Sequence, residues 1–140
     1  MKIIPKKSLG QNFLIDKNII RKLCDAGNVS EQDCVLEIGP GTGKLTEFIR
    51  LKNPKKFHVI EKDKTLVKYL YEKFKDNIVI INDDILKYDL KNLGDKNLII
   101  FGNLPYNIST QILTRFISYN TKEFLYKKLI FMFQKEVADR

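Results

Sequence analysis

At 140 residues and 44% hydrophobic composition, the chain has the size and apolar content of one ordinary domain with a single core. No apolar run approaches the roughly 20 residues needed to span a bilayer, and the start, Met1-Lys2-Ile3-Ile4-Pro5-Lys6-Lys7, lacks the apolar stretch of a signal peptide, so a cytoplasmic protein with no membrane partner is expected. The net charge of +8 and pI near 9.4 suit a polyanionic partner, although lysine so outnumbers arginine that a biased genome would account for the basicity as well.

After a basic arm, a first helix is predicted to start behind Asp16 as N-cap, to place Ile19, Ile20, Leu23 and Cys24 on one face, and to end at Gly27. Five short, nearly continuous apolar runs follow: Cys34 to Ile38, Phe57 to Ile60, Ile78 to Ile81, Leu98 to Phe101 and Leu129 to Phe133. Such runs read as strands covered on both faces. Helical segments lie between them: one from about Gly43 to Leu51, one after Asp63 with Leu66, Leu70 and Phe74 in phase, and one after Ser109 with Ile112, Leu113, Phe116 and Ile117. Alternation of this kind predicts an α/β fold, a mostly parallel sheet with helices on both faces. Gln134-Lys135-Glu136-Val137-Ala138-Asp139-Arg140 reads as the start of another helix, so a continuation that covers the fifth strand is expected.

Cys24 and Cys34, the only cysteines, sit in no C-x-x-C spacing and read as small buried hydrophobes, and His58 is the only histidine. A zinc site would lack its usual ligands, and no metal is expected.

The chemistry concentrates in two loops. The first, Leu36-Glu37-Ile38-Gly39-Pro40-Gly41-Thr42-Gly43, is a strand running into a glycine-rich turn that opens a helix. A phosphate-cradling loop of the form G-x-x-x-x-G-K-[ST] fails, being one residue short and having Leu45 where the hydroxyl should stand. The dinucleotide fingerprint fits poorly, because Lys44 occupies its third glycine position. The segment resembles instead the E-x-G-x-G-x-G turn of S-adenosylmethionine-dependent methyltransferases, with Gly39 and Gly41 against the cofactor. Glu61 follows the second strand, where a carboxylate accepts from both ribose hydroxyls. Asp84 follows the third, beside Ile85, where a carboxylate accepts from an adenine amine; Asp83 competes for that role.

The second loop is Asn103-Leu104-Pro105-Tyr106-Asn107-Ile108-Ser109-Thr110, at the carboxyl end of the fourth strand, the edge at which open α/β sheets bind ligands. The exocyclic amine of adenine is a poor nucleophile because its lone pair is delocalised into the ring. Acceptors placed on the amine hydrogens, the Asn103 side-chain oxygen and a backbone carbonyl at Leu104 or Pro105, would localise that lone pair. Pro105 fixes φ, and Tyr106 offers a ring on which a flipped base can stack.

Together with Lys7-Ser8-Leu9-Gly10-Gln11-Asn12-Phe13-Leu14 and Gln134-Lys135-Glu136-Val137-Ala138, these loops resemble the ribosomal RNA adenine dimethyltransferase family over essentially the whole chain. The G-P-G-T-G turn and the Q-K-E-V segment favour its small-subunit branch over the related macrolide-resistance enzymes. The resemblance implies a Rossmann-like methyltransferase fold, S-adenosylmethionine as cofactor, and Asn12, Leu14, Gly39, Gly41, Glu61, Asp84, Ile85 and Asn103 as cofactor contacts. It implies double methylation of two adjacent adenines near the 3′ end of small-subunit rRNA, in ribosome biogenesis, by a protein monomeric at full length. The partner is small-subunit rRNA or the pre-ribosomal small subunit, met by Lys2, Lys6, Lys7, Lys62 and Lys64. Residues 1–140 then form an incomplete cofactor-binding domain, without the last strands and the small helical domain of the family. An assembly factor acting by binding alone, or an inactive fragment, are the alternatives. Leu9 departs from the family, which usually has an aromatic residue there.

Overall fold

The computed structural model describes residues 2–9, 11, 13, 16–123, 125–133 and 138–139, the side chains of 76 and 119–123 excepted. The described residues form nine main elements: α1 Lys17–Gly27, β1 Cys34–Ile38, α2 Lys44–Arg50, β2 Lys56–Glu61, α3 Lys64–Phe74, β3 Val79–Asn82, β4 Leu98–Asn103, α4 Ser109–Glu123 and β5 Tyr126–Met132. The five strands form one sheet in the order β3-β2-β1-β4-β5, and every pairing is parallel. No helix among the described residues is long and apolar enough to cross a membrane.

The continuous apolar strands are explained by their two covered faces, since alternate side chains leave opposite sides of the sheet. Val35, Phe57, Val59, Ile99 and Phe101 pack under α1, α2 and α3 with Ile20, Ile49, Leu70 and Phe74. Leu36, Ile60, Leu98 and Ile100 pack on the other face with Ile112 and Phe116 of α4.

The helix ends show which local signals held. Asp16 caps α1 by accepting from the N–H groups of Asn18 and Ile19. Helix α1 ends at Gly27 as expected, and the left-handed residue that caps it is the next one, Asn28 (φ 46°). Gly27 is there for space: a Cβ would stand 2.3 Å from the Phe101 ring. Ile117, placed by periodicity on the apolar face of α4, is 56% exposed, because the buried line runs through Ile112 and Phe116. Cys24 is buried as expected, whereas Cys34 is only half-buried.

Strand β5 begins three residues earlier than its apolar run, at Tyr126. Three tertiary bonds hold that polar start. The Tyr126 hydroxyl donates to the Phe116 carbonyl (2.9 Å), Lys127 pairs with Asp33 (2.7 Å), and Lys128 donates to the Gly27 carbonyl (3.1 Å) at the negative end of α1. The predicted helix at Gln134-Lys135-Glu136-Val137 lies outside the described residues.

Candidate cofactor and target-base cleft

The strand order reverses between β1 and β4, so their carboxyl ends diverge and leave a crevice. A cavity of about 130 Å³ sits there, walled by the glycine turn, the ends of β2 and β4, the segment after β3, and the N-terminal arm.

The turn owes its shape to its glycines. Gly39 and Gly43 take φ of 62° and 82°, in the left-handed region that side chains disfavour. At Gly43 a Cβ would also lie 2.5 Å from Phe74, so the residue permits α2 to start against α3. At Gly39 a Cβ would meet nothing within 4 Å, and the backbone is bare toward the cleft. Three bonds brace the turn: the Gly39 N–H to the Ile60 carbonyl (2.9 Å), the Gly43 N–H to the Pro40 carbonyl (2.9 Å), and Lys73 of α3 to the Thr42 carbonyl (2.9 Å).

Two carboxyl groups lie at the floor. Glu37, 2% exposed, accepts from the equally buried Thr46 hydroxyl at 2.6 Å. Burial pushes its pKa up to about 8, against the opposing pull of the Thr46 bond and with a further rise from nearby Glu61. Glu61, the last residue of β2, is also buried and accepts from the backbone N–H of Asp63 (2.9 Å), with the N–H groups of Gly41 and Lys62 also favouring its ionised form. Its pKa is raised, because burial outweighs those bonds.

Beyond β3 the two aspartates differ. Asp83 is exposed and turns its carboxylate back onto the Asp84 N–H (2.7 Å). Asp84 is half-buried, accepts from the Leu86 N–H (3.0 Å) and stands 3.4 Å from the Lys62 ammonium. Ile85 beside it is buried and lines the cleft.

Across the cleft stand Asn103, the last residue of β4, and Pro105. The Leu104 side chain is buried in the core under α4, so only its backbone can serve a ligand. The Pro105 carbonyl accepts from the Ile108 N–H (3.2 Å), which closes the turn into α4. Tyr106 is 52% exposed at the rim.

The cleft therefore gathers Gly39, Gly41, Glu61, Asp84, Ile85, Asn103 and Pro105, whereas exposed Tyr106, between the lining residues Pro105 and Asn107, does not itself line the cavity. Asn12 and Leu14 lie outside the described residues. Of the lysines assigned to RNA, Lys6 and Lys62 are engaged with Asp63 and Asp84, while Lys2, Lys7 and Lys64 are exposed. The sequence assigns no role to Thr46, which tertiary packing brings to Glu37, and marks Asp63 only as the residue before a helix. The spacing Glu61-x-Asp63 at a strand's carboxyl end was the available signal.

The sequence profile of the family described as ribosomal RNA adenine dimethylase matches residues 4–140. The chain belongs to that family. Among its relatives is the ribosomal RNA small subunit methyltransferase A of Pelagibacter ubique, 53% identical over 135 residues, covering 96% of this chain and 51% of the relative. The protein of the same name from Persephonella marina is 43% identical, covering 97% of this chain and 51% of the relative. The chain thus spans about half the length of these curated relatives. Among solved structures, a dimethyladenosine transferase from Plasmodium falciparum superposes with a TM-score of 0.75 at 31% identity, over 92% of this chain and 46% of that one. The 23S rRNA methyltransferase ErmE gives 0.74 at 25% identity, over 91% and 50%. The fold is the Rossmann-like methyltransferase fold that the glycine turn led one to expect.

Proposed function

We propose that the cleft binds S-adenosylmethionine and that the protein dimethylates the N6 amines of two adjacent adenines near the 3′ end of small-subunit rRNA. The observation that carries this reading is the convergence of the glycine turn, Glu61, Asp84 and the Asn103–Pro105 segment on one crevice where the strand order reverses. The residues fit the cofactor. The bare backbone at Gly39 leaves room that a side chain would fill, and the Glu61 carboxylate keeps acceptor capacity beyond the bond from the Asp63 N–H.

When bound, S-adenosylmethionine supplies a methyl group activated by a sulfonium. Glu61 accepts from the ribose hydroxyls, and Ile85 packs on the adenine ring. Asp84 accepts from the adenine amine in preference to Asp83, because it is half-buried beside Ile85 whereas Asp83 is exposed.

On the substrate side, the Asn103 side-chain oxygen and the Leu104 carbonyl accept the two hydrogens of the target amine. Leu104 is preferred to Pro105 because the latter's carbonyl already closes a turn. Withdrawing both hydrogens from the ring plane concentrates the nitrogen lone pair, so no charged base is needed before attack. Tyr106, half-exposed at the rim, stacks on the flipped base. Exposed Lys2, Lys7 and Lys64 meet the phosphate backbone. The protein acts in the cytoplasm on pre-ribosomal small subunits, as a monomer.

The test is calorimetric titration with S-adenosylmethionine, followed by incubation with labelled cofactor and undermethylated small subunits. Binding and transfer to adenine are expected, with Asn103→Ala lowering transfer by about 10²–10³-fold, the scale of losing one positioned transition-state contact. Absence of cofactor binding by the protein and of transfer would overturn the reading.

A further inference from the structure

The carboxylate of Asp63 is 6% exposed and collects far more than a helix cap needs. One oxygen accepts from the Thr65 N–H (2.9 Å), the capping bond of α3. The Lys6 ammonium lies 3.0 Å from that oxygen and 2.9 Å from the other, which also accepts from the Gln11 side-chain amide at 3.0 Å. Burial alone would raise the pKa of Asp63, yet these bonds outweigh it and hold it below the usual carboxylate range.

Hydrogen bonds between described residues of the arm and the body of the domain all end on this side chain. From there the connection continues inward. The Asp63 N–H donates to Glu61 (2.9 Å), and the nearby Gly41 N–H favours the ionised form of the same carboxylate. Gly41 in turn meets the arm again, since a Cβ there would stand 3.2 Å from the Phe13 ring. Lys6, Gln11, Asp63, Glu61, Gly41 and Phe13 thus close a ring of contacts around one side of the cleft.

We infer that Asp63 is a positioning residue, joining the N-terminal arm to the Glu61 carboxylate so that the arm and the ribose acceptor are ordered together. This rests on the reading of the cleft as the cofactor site. Asp63 touches no reacting atom and acts through Glu61 and Gln11. When the link is cut, Glu61 samples orientations that do not meet a ribose, and cofactor affinity falls while the chemistry at Asn103 is untouched.

Asp63→Asn isolates the link from the cap, because asparagine caps a helix as well as aspartate does but cannot pair with the Lys6 charge. In the full protein, Asp63→Asn and Gln11→Leu should each raise the KM for S-adenosylmethionine, and the calorimetric Kd for S-adenosylhomocysteine, about fivefold, the worth of one net hydrogen bond. The kcat should not change. The double variant should be no weaker than Asp63→Asn alone, because both changes cut one connection. Trypsin should cleave at Lys6 and Lys7 faster in Asp63→Asn than in the parent.

Unchanged Kd and KM in the single variants, or additive losses in the double variant, would overturn the inference. Failure of the parent protein to bind either ligand would instead overturn the cofactor reading. Should Asp63→Asn not fold, Gln11→Leu and Lys6→Met lie on the arm outside α3, and their affinities decide the matter.

Discussion

Glu37→Gln isolates the physical consequence of a buried acid at the floor of the cleft. In the unfolded chain the carboxyl group titrates near its ordinary value of 4.5, and in the folded protein near about 8. Between those values the folded state keeps a proton that the unfolded state has lost, so stability is greatest below 4.5 and falls as pH rises toward 8. Each pH unit within that window costs about 1.4 kcal/mol, so roughly 3 kcal/mol is lost by pH 7. Glutamine has the shape of the protonated acid and can still accept from the Thr46 hydroxyl, yet it cannot ionise. Urea unfolding of both proteins at pH 5, 6, 7 and 8, at one ionic strength, reads the difference directly. The variant should gain on the parent steadily across the series and exceed it in stability at pH 8. Two curves that run parallel from pH 5 to 8 would refute the reasoning, since every other titrating group is common to both.

Gly43→Ala adds a Cβ at a φ of 82° and against the Phe74 ring, so it should destabilise by about 2–4 kcal/mol, seen as a melting temperature roughly 10 °C lower. Tyr106→Ala removes a half-exposed ring that the fold does not need, so the melting temperature should hold while kcat/KM on RNA falls about 10–100-fold, the loss of one base stack. An equal loss of stability would assign Tyr106 to packing instead. Lys128→Ala removes the cation at the carboxyl end of α1 and should cost about 0.5–1 kcal/mol in urea unfolding, less at high salt.

Much of the architecture was legible because its causes are local. A strand covered on both faces must be apolar throughout, and runs such as Leu98 to Phe101 announce that without reference to anything distant. Asp16 and Asp63 cap helices by bonds within three residues, and the turn from Gly39 to Gly43 carries its conformational requirement in its own composition. The same locality made the two chemical loops readable, and the parallel order of the sheet then set them face to face across the crevice between β1 and β4.

Other features depend on atoms distant in sequence, and only the tertiary structure decided them. Gly27 ends α1, but its missing side chain also makes room for the Phe101 ring some seventy residues away, and Asn28 takes the left-handed turn. Strand β5 starts among polar residues because Asp33, Gly27 and Phe116 receive them. Asp83 and Asp84 are identical in kind, and their local bonds and burial separate them. Whether Glu37 carries a charge, and whether Asp63 is a cap or a junction, follows from what surrounds each carboxylate. The sequence alone determined which groups reach the cleft's edge, through periodicity and turn chemistry. Desolvation and partner geometry, which exist only once the chain has packed, determined what those groups can do.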